Sequence, residues 1–264
     1  MSWNLFFGTM RQRRVGLFWY SVGLVVYSWV MCWYWPLIGD EYQKLVDTLP
    51  PQFIQAFAGT DVDFSTLGGY FQAEYLGLMW IAIVGSAVIL YASKAIGSEI
   101  GNGTMELLLS QPISRVRFVV TRIIGFVAYT AVVAAATFVP IAIFGPHYDI
   151  DLSTKTHVLL FLSGTVFMLA IGGVAFLLSA LSRDGGKPAS ITAGLLGAMW
   201  IMHAVAQLAD WADTLEPFNL LNYWQPARLI NDGVVETEMW LVYGGVALVV
   251  LAASVVAFLR RDLT

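Results

Sequence analysis

Charge is what this sequence has least of. Only 12% of its 264 residues are Asp, Glu, Lys or Arg, whereas soluble domains carry about 25%. Cysteine is almost absent too: the single Cys32 lies inside an apolar run, so no intrachain disulfide can form. There is no long basic tract, which argues against nucleic acid as a partner. Carboxylates and bases are scarce within the apolar runs, where Glu74 and Lys94 stand only at the ends of the second. A charged group at mid-bilayer costs at least about 2.5–3.5 kcal/mol and is kept for function, so an ionic relay is not indicated. A phosphate-binding loop is also missing. Gly185-Gly186-Lys187-Pro188 lacks the spaced upstream glycine and the following Ser or Thr. It reads as a turn. Ser163-Gly164-Thr165 falls within an apolar run.

What fills the space is hydrocarbon. Hydrophobic residues make up 58% of the chain, too many for one core of this size, so the bilayer is their solvent. A hydrocarbon slab of roughly 30 Å needs about 20 helical residues. Six runs qualify: 15–38, 74–93, 118–144, 157–181, 189–208 and 239–259. The expected fold class is an all-α membrane protein in a single transmembrane domain, 1–264. The basic start, MSWNLFFGTMRQRR, imitates a signal peptide, but the run after it is too long and no A-x-A-like site follows. Pro140 and Gly145-Pro146 are expected to end the third run. Gly125 and Ala134 to Ala136 in the third run, and Gly194, Gly197 and Ala198 in the fifth, permit close helix contact.

Lys and Arg set the orientation. With the N-terminus inside, the inner segments hold Arg11, Arg13, Arg14, Lys94, Arg115, Arg117, Arg122, Arg183, Lys187, Arg260 and Arg261, and the outer ones only Lys44, Lys155 and Arg228. Both termini are therefore expected in the cytoplasm, in a multi-pass protein of the inner membrane. Trp3, Phe6, Phe7 and Met10, followed by three arginines, read as an interfacial helix on that face. Two outer loops, 39–73 and 209–238, exceed ordinary connector length. Leu45, Leu49, Phe53, Ile54 and Phe57 in one, and Leu220, Leu221, Trp224, Leu229 and Ile230 in the other, repeat at helical spacing. They read as short amphipathic helices on the outer leaflet, serving either as a shield or as a gate. His203, with Gln207 one turn on, suits an interhelical hydrogen bond better than a proton or metal role.

The inner loop between the second and third runs reads SKAIGSEIGNGTMELLLSQPISRVRFVVTR. Asn102-Gly103 forms a turn. Thr104 can cap the helix that follows, with Glu106 facing its dipole. Leu107, Leu108 and Leu109 make that helix apolar, and Pro112 stops it. Ser114 can cap the next one. A short leucine-rich helix crossing a cytoplasmic face needs something to cover it.

The run Glu99-x3-Gly103-Thr104-x-Glu106-Leu107-Leu108-Leu109-Ser110-x-Pro112-x-Ser114-Arg115 resembles the hallmark of ABC-2 type transporter permeases. The six-run layout is similar, as are LPPQFIQAFAG with GGYFQAEYLGL in the first outer loop and EPFNLLNYWQPARLINDG before the last run. The resemblance implies that this loop presents a coupling helix to a separate cytoplasmic ATPase subunit, and that two permease copies or paralogues pair as a dimer. It implies that ATP and magnesium sit on the partner, with no cofactor and no catalysis on this chain. Thr104 to Ser110 would form the coupling element. Glu99 and Glu106 would pair with basic residues of the ATPase or of the loop itself, and Arg115 would pin the loop's return. Gly103, Thr104, Pro112 and Ser114 also suit a plainer task, shaping and capping turns. Export of an amphipathic or apolar cargo fits the family and the weakly polar interior. An ion-coupled carrier would need intramembrane carboxylates or broken helices, an intramembrane enzyme would need convergent acids and bases, and a membrane scaffold would need neither.

Overall fold

The structure, a computed structural model, describes residues 3–46, 48, 50, 63–104, 113–184 and 186–261. Among these residues all regular structure is helical, the solution that lets a chain satisfy its backbone within lipid. Five helices are long and apolar enough to cross a membrane: α1 (Trp3–Val46), α5 (Arg115–Phe144), α6 (Thr154–Leu181), α7 (Gly186–Ala206) and α9 (Thr237–Leu259). A pair bent by 44° is apolar and long enough to make a sixth span if its halves cross together: α2 (Leu67–Phe71), a wide turn (Gln72–Leu76) and α3 (Leu78–Ser93).

The centre of the bundle is α6. In its most apolar stretch 61% of the residues are buried, against 22% in α1 and α9 and 11% in α7. The glycines of α6 explain why its neighbours come so close. A Cβ on Gly172 would lie 2.3 Å from Val88 Cγ1, and one on Gly164 would lie 2.8 Å from Phe138 Cε2. Helices α3 and α5 thus pack directly on α6 backbone, the contact that dispersion favours where lipid removes the hydrophobic drive. Trp80, fully buried, stacks on Trp224 at 5.1 Å and on Phe167 at 6.4 Å, and its indole N–H donates to Thr137 Oγ1 at 3.0 Å. Helix α1 lies along α5 and α9 along α6. Ser28 of α1 fixes the first pairing by donating to the Thr137 carbonyl at 3.0 Å.

The bend in the second span has a local cause. Gly77 N–H reaches back five residues to the Gln72 carbonyl at 2.9 Å, and a Cβ on Gly77 would sit 2.4 Å from that oxygen. Such wide turns interrupt the helix ladder. The second long loop covers the interruption. Trp224 donates its indole N–H to the Leu76 carbonyl (2.7 Å), Ala227 N–H donates to Gln72 Oε1 (3.0 Å), and Gly68 N–H donates to Asn231 Oδ1 (3.0 Å). Helix α8 (Pro226–Asp232) therefore seats on α2. Leu221, Trp224, Leu229 and Ile230 are buried in the bundle, so this part of the loop turns its apolar side to protein and not to lipid. In the first long loop Leu45 belongs to α1, and Leu49, Phe53, Ile54 and Phe57 lie outside the described residues.

Four local expectations change. The stretch from Trp3 to Met10 is not a separate interfacial helix but the first turns of α1, since no Gly-Pro or turn signal divides it from Val15. At 1.5 Å per residue the 44 residues of α1 extend about 66 Å, roughly twice the hydrocarbon thickness. Pro140 does not end the third span but lies buried within α5, which runs on to Phe144 before the tight turn Gly145–Tyr148. Prolines persist in such helices where neighbours pack on the freed carbonyl. Gly186-Lys187-Pro188 opens α7, because proline's missing N–H costs nothing in a first turn. Finally, Gly194 and Gly197 meet no other group within 4 Å among the described residues, unlike Gly125 and Ala134 of α5, which are closely packed.

The Trp224 plug is testable by thermal unfolding in detergent. Trp224→Ala should lose about 3–5 kcal/mol, and Trp224→Phe, which keeps the stack and loses the donor, about 1–2 kcal/mol. A Trp224→Phe variant as stable as the parent would contradict the bond to the Leu76 carbonyl.

Candidate functional site at the basic end

The arginine-rich end of the bundle is built around the segment that follows α3. Residues 94–96 turn the chain, α4 (Gly97–Gly101) makes just over one helical turn, and Asn102-Gly103 reverses it with Gly103 at φ +71°, a conformation glycine adopts without strain. Two sides of this stem are clamped by different means.

Against the end of α6 the clamp is close packing. Ser179 Oγ, buried, accepts the N–H groups of Ile96 (3.1 Å) and Gly97 (3.0 Å). A Cβ on Gly101 would lie 2.4 Å from the Arg183 carbonyl oxygen, so only glycine lets the stem lie this near. The same α6 terminus is held by Arg261, which donates to the carbonyls of Ala180 (2.7 Å) and Ser182 (2.9 Å). Burial, and then the like charge of Arg183, lower the Arg261 guanidinium below its usual range. It remains charged at any physiological pH. Arg115 completes the corner by donating to the Arg261 carbonyl at 2.9 Å.

Toward α1 and α5 the clamp is ionic. Arg122, only 4% exposed, donates from Nη2 to Glu99 Oε1 at 2.7 Å and from Nη1 to Thr9 Oγ1 at 2.6 Å. Its guanidinium also lies over the Phe118 ring at 5.1 Å. Thr9 in turn donates to the Leu5 carbonyl (2.8 Å), and Thr104 donates to Glu99 Oε2 (2.5 Å). The result is a continuous chain of side chains from α1 through α5 to the stem. Removing one member of a buried pair leaves an uncompensated charge and costs about 3–5 kcal/mol.

Of the residues expected to matter here, Glu99, Gly103, Thr104 and Arg115 are brought to this end, while Glu106, Leu107, Leu108 and Pro112 lie outside the described residues. Glu99 pairs with Arg122 of the returning helix. Thr104 bonds back to Glu99. Ser114 does cap α5, accepting the Arg117 N–H at 3.3 Å. Arg115 ties the start of α5 to the end of α9. Thr9, Ser179 and Arg261 were not legible as partners. A lone serine in an apolar run carries no signal of which backbone it will meet, and in the sequence Arg122 reads only as one more inner arginine.

At the opposite end, His203 Nδ1 and Gln207 Nε2 both meet Glu216 Oε1, at 3.1 and 3.2 Å, joining α7 to the turn Asp210–Phe218. This is a packing contact. Among the described residues no three potential ligands converge on a metal position. A cavity of about 100 Å³ opens beside Tyr223, Arg228, Asp232 and Glu236, well below the several hundred cubic ångströms of a typical small-molecule site.

Compared with known proteins, the chain matches the family model for the ABC-2 family transporter protein over residues 13–263. The chain belongs to the ABC-2 transporter family. It is thus the membrane permease domain of an ABC transporter, a transport component and not itself a catalyst. None of the curated proteins matches it. The match takes in the stem and most of its clamps, Arg122, Ser179 and Arg261 among them, while Thr9 lies before its first residue.

Ser179→Ala would leave two buried N–H groups without an acceptor, at about 1–3 kcal/mol for each group. Hydrogen exchange at the Ile96 and Gly97 amides should accelerate at least tenfold. Unchanged exchange would show that the stem is not held there.

Proposed function

We propose that this permease faces the cytoplasm with its basic end, in the inner membrane, and is driven by a separate ATPase subunit that engages the 99–115 segment. ATP and magnesium belong to that partner. The observation that carries the reading is the double clamp on the stem. A segment that leaves the bundle, is held on two sides by buried bonds and leads straight into Met105-Glu106-Leu107-Leu108-Leu109 suits the transfer of force from a protein seated on it. A free connector would need neither a buried ion pair nor glycine-tight packing.

The permease works as a dimer, with a second copy or a paralogue. Helices α1 and α7 expose Trp19, Ile191, Leu195 and Ile201, and an apolar surface this extensive is covered by lipid or by a partner helix. Gly194 and Gly197 of α7, which meet nothing within 4 Å among the described residues, suit close approach of another helix. Closure of two ATPase subunits would then tilt the spans and open a path between the two halves. The cargo is amphipathic or apolar and moves outward, in keeping with an interior whose only buried charge, among the described residues, is Arg122 at the basic end.

Glu106→Arg, and separately Leu107→Ser with Leu108→Ser, should cut copurification of the ATPase and its stimulation by the permease at least tenfold. Thermal stability of the membrane bundle should hold within a few degrees. Survival of both copurification and stimulation in both variants would refute the coupling assignment.

A further inference from the structure

A displacement applied beyond Thr104 can leave the stem only through the groups that hold it, and the two clamps differ in what they can transmit. On the α6 side, backbone N–H groups meet Ser179 and Gly101 lies against the Arg183 carbonyl. That contact belongs to α6, which has 61% of its most apolar stretch buried. It behaves as a fulcrum.

On the other side, one planar guanidinium holds both the stem and α1. Arg122 gives one amino group to Glu99 and the other to Thr9, 2.7 and 2.6 Å away. Packing alone does not call for this. A buried ion pair is commonly matched or exceeded in stability by apolar side chains of similar volume, and Arg122 already lies on Phe118 among apolar neighbours. What an apolar substitute cannot supply is a directional joint between two separate elements, because a bidentate fork fixes the relative position of both acceptors. The element at the far end is suited to move. Helix α1 is one uninterrupted helix from Trp3 to Val46, and only 22% of its most apolar stretch is buried.

Resting on the permease reading above, we infer that Glu99, Arg122 and Thr9 form a latch that carries displacement of the stem into α1, with Arg122 as the positioning residue. The stem pivots on Ser179, Glu99 moves with it, and Arg122 draws the cytoplasmic end of α1 along through Thr9 and the Leu5 carbonyl.

The test uses the full permease with its ATPase in lipid nanodiscs, in a Cys32→Ala background. Spin labels at Arg11→Cys and Lys187→Cys, both exposed positions at the basic end, report the distance from α1 to the start of α7. That distance is compared between nucleotide-free and ATP–vanadate-trapped states. The parent protein should show a nucleotide-dependent shift. Arg122→Gln and Thr9→Val should each reduce that shift at least threefold while the ATPase still copurifies. The reversed pair, Glu99→Arg with Arg122→Glu, should regain at least half of it, which a loss of general stability would not allow. If Arg122→Gln fails to yield a folded complex, Thr9→Val decides, since it leaves the ion pair in place.

A full shift in the single variants, or a reversed pair no better than Arg122→Gln, would overturn the latch. So would a parent complex that binds the ATPase but shows no shift. A parent protein that binds no ATPase would overturn the permease reading, and the latch with it.

Discussion

No water is at hand inside a hydrocarbon slab to satisfy a polar group, and that constraint organises this molecule from end to end. Several polar groups within the bundle are matched by a partner from elsewhere in the chain. The wide turn at Gln72–Leu76 frees the Leu76 carbonyl, and Trp224 takes it. The Thr137 carbonyl receives Ser28 of α1. Arg122 would be ruinous alone, and Glu99 and Thr9 enclose it. These pairings are also what place the elements. The second long loop sits where it does because the break in the second span lies beneath it, and α1 meets the stem because both reach for one guanidinium.

Much of this was legible in the chain and some was not, for physical reasons. The six apolar runs appear as five helices long enough to cross and one bent pair, because length and composition alone decide whether a helix can span. The turn at Asn102-Gly103 and the cap at Ser114 are local chemistry, readable from two or three residues. The partners of Arg122 lie 23 and 113 residues away, and no periodicity announces such pairs. The bend at Gly77 was equally silent, since an interrupted apolar run has the composition of an intact one. Pro140 and Gly186-Lys187-Pro188 misled in the same direction. Proline breaks helices in water, but it is tolerated within a packed bundle and is at home in a first turn. Within the coupling segment, Glu106, Leu107, Leu108 and Pro112 remain readings of the sequence and of the family it resembles.

The distribution of burial sets a covered centre apart from an exposed flank. Helix α6, with its glycines against α3 and α5, is the covered centre, and α9 lies along it. Helices α1 and α7 have large uncovered apolar faces. In our account these faces meet the second half of the transporter, while the stem converts contact with a motor protein into motion of α1.

The most direct test of that account asks what touches the segment after the stem. A photo-crosslinking amino acid placed at Leu107 in intact cells should capture an ATPase subunit bearing a phosphate-binding loop, whereas the same probe at the exposed Trp211 of the opposite end should not. Capture of the ATPase from position 211 but not from 107, or of no ATPase from either, would contradict it.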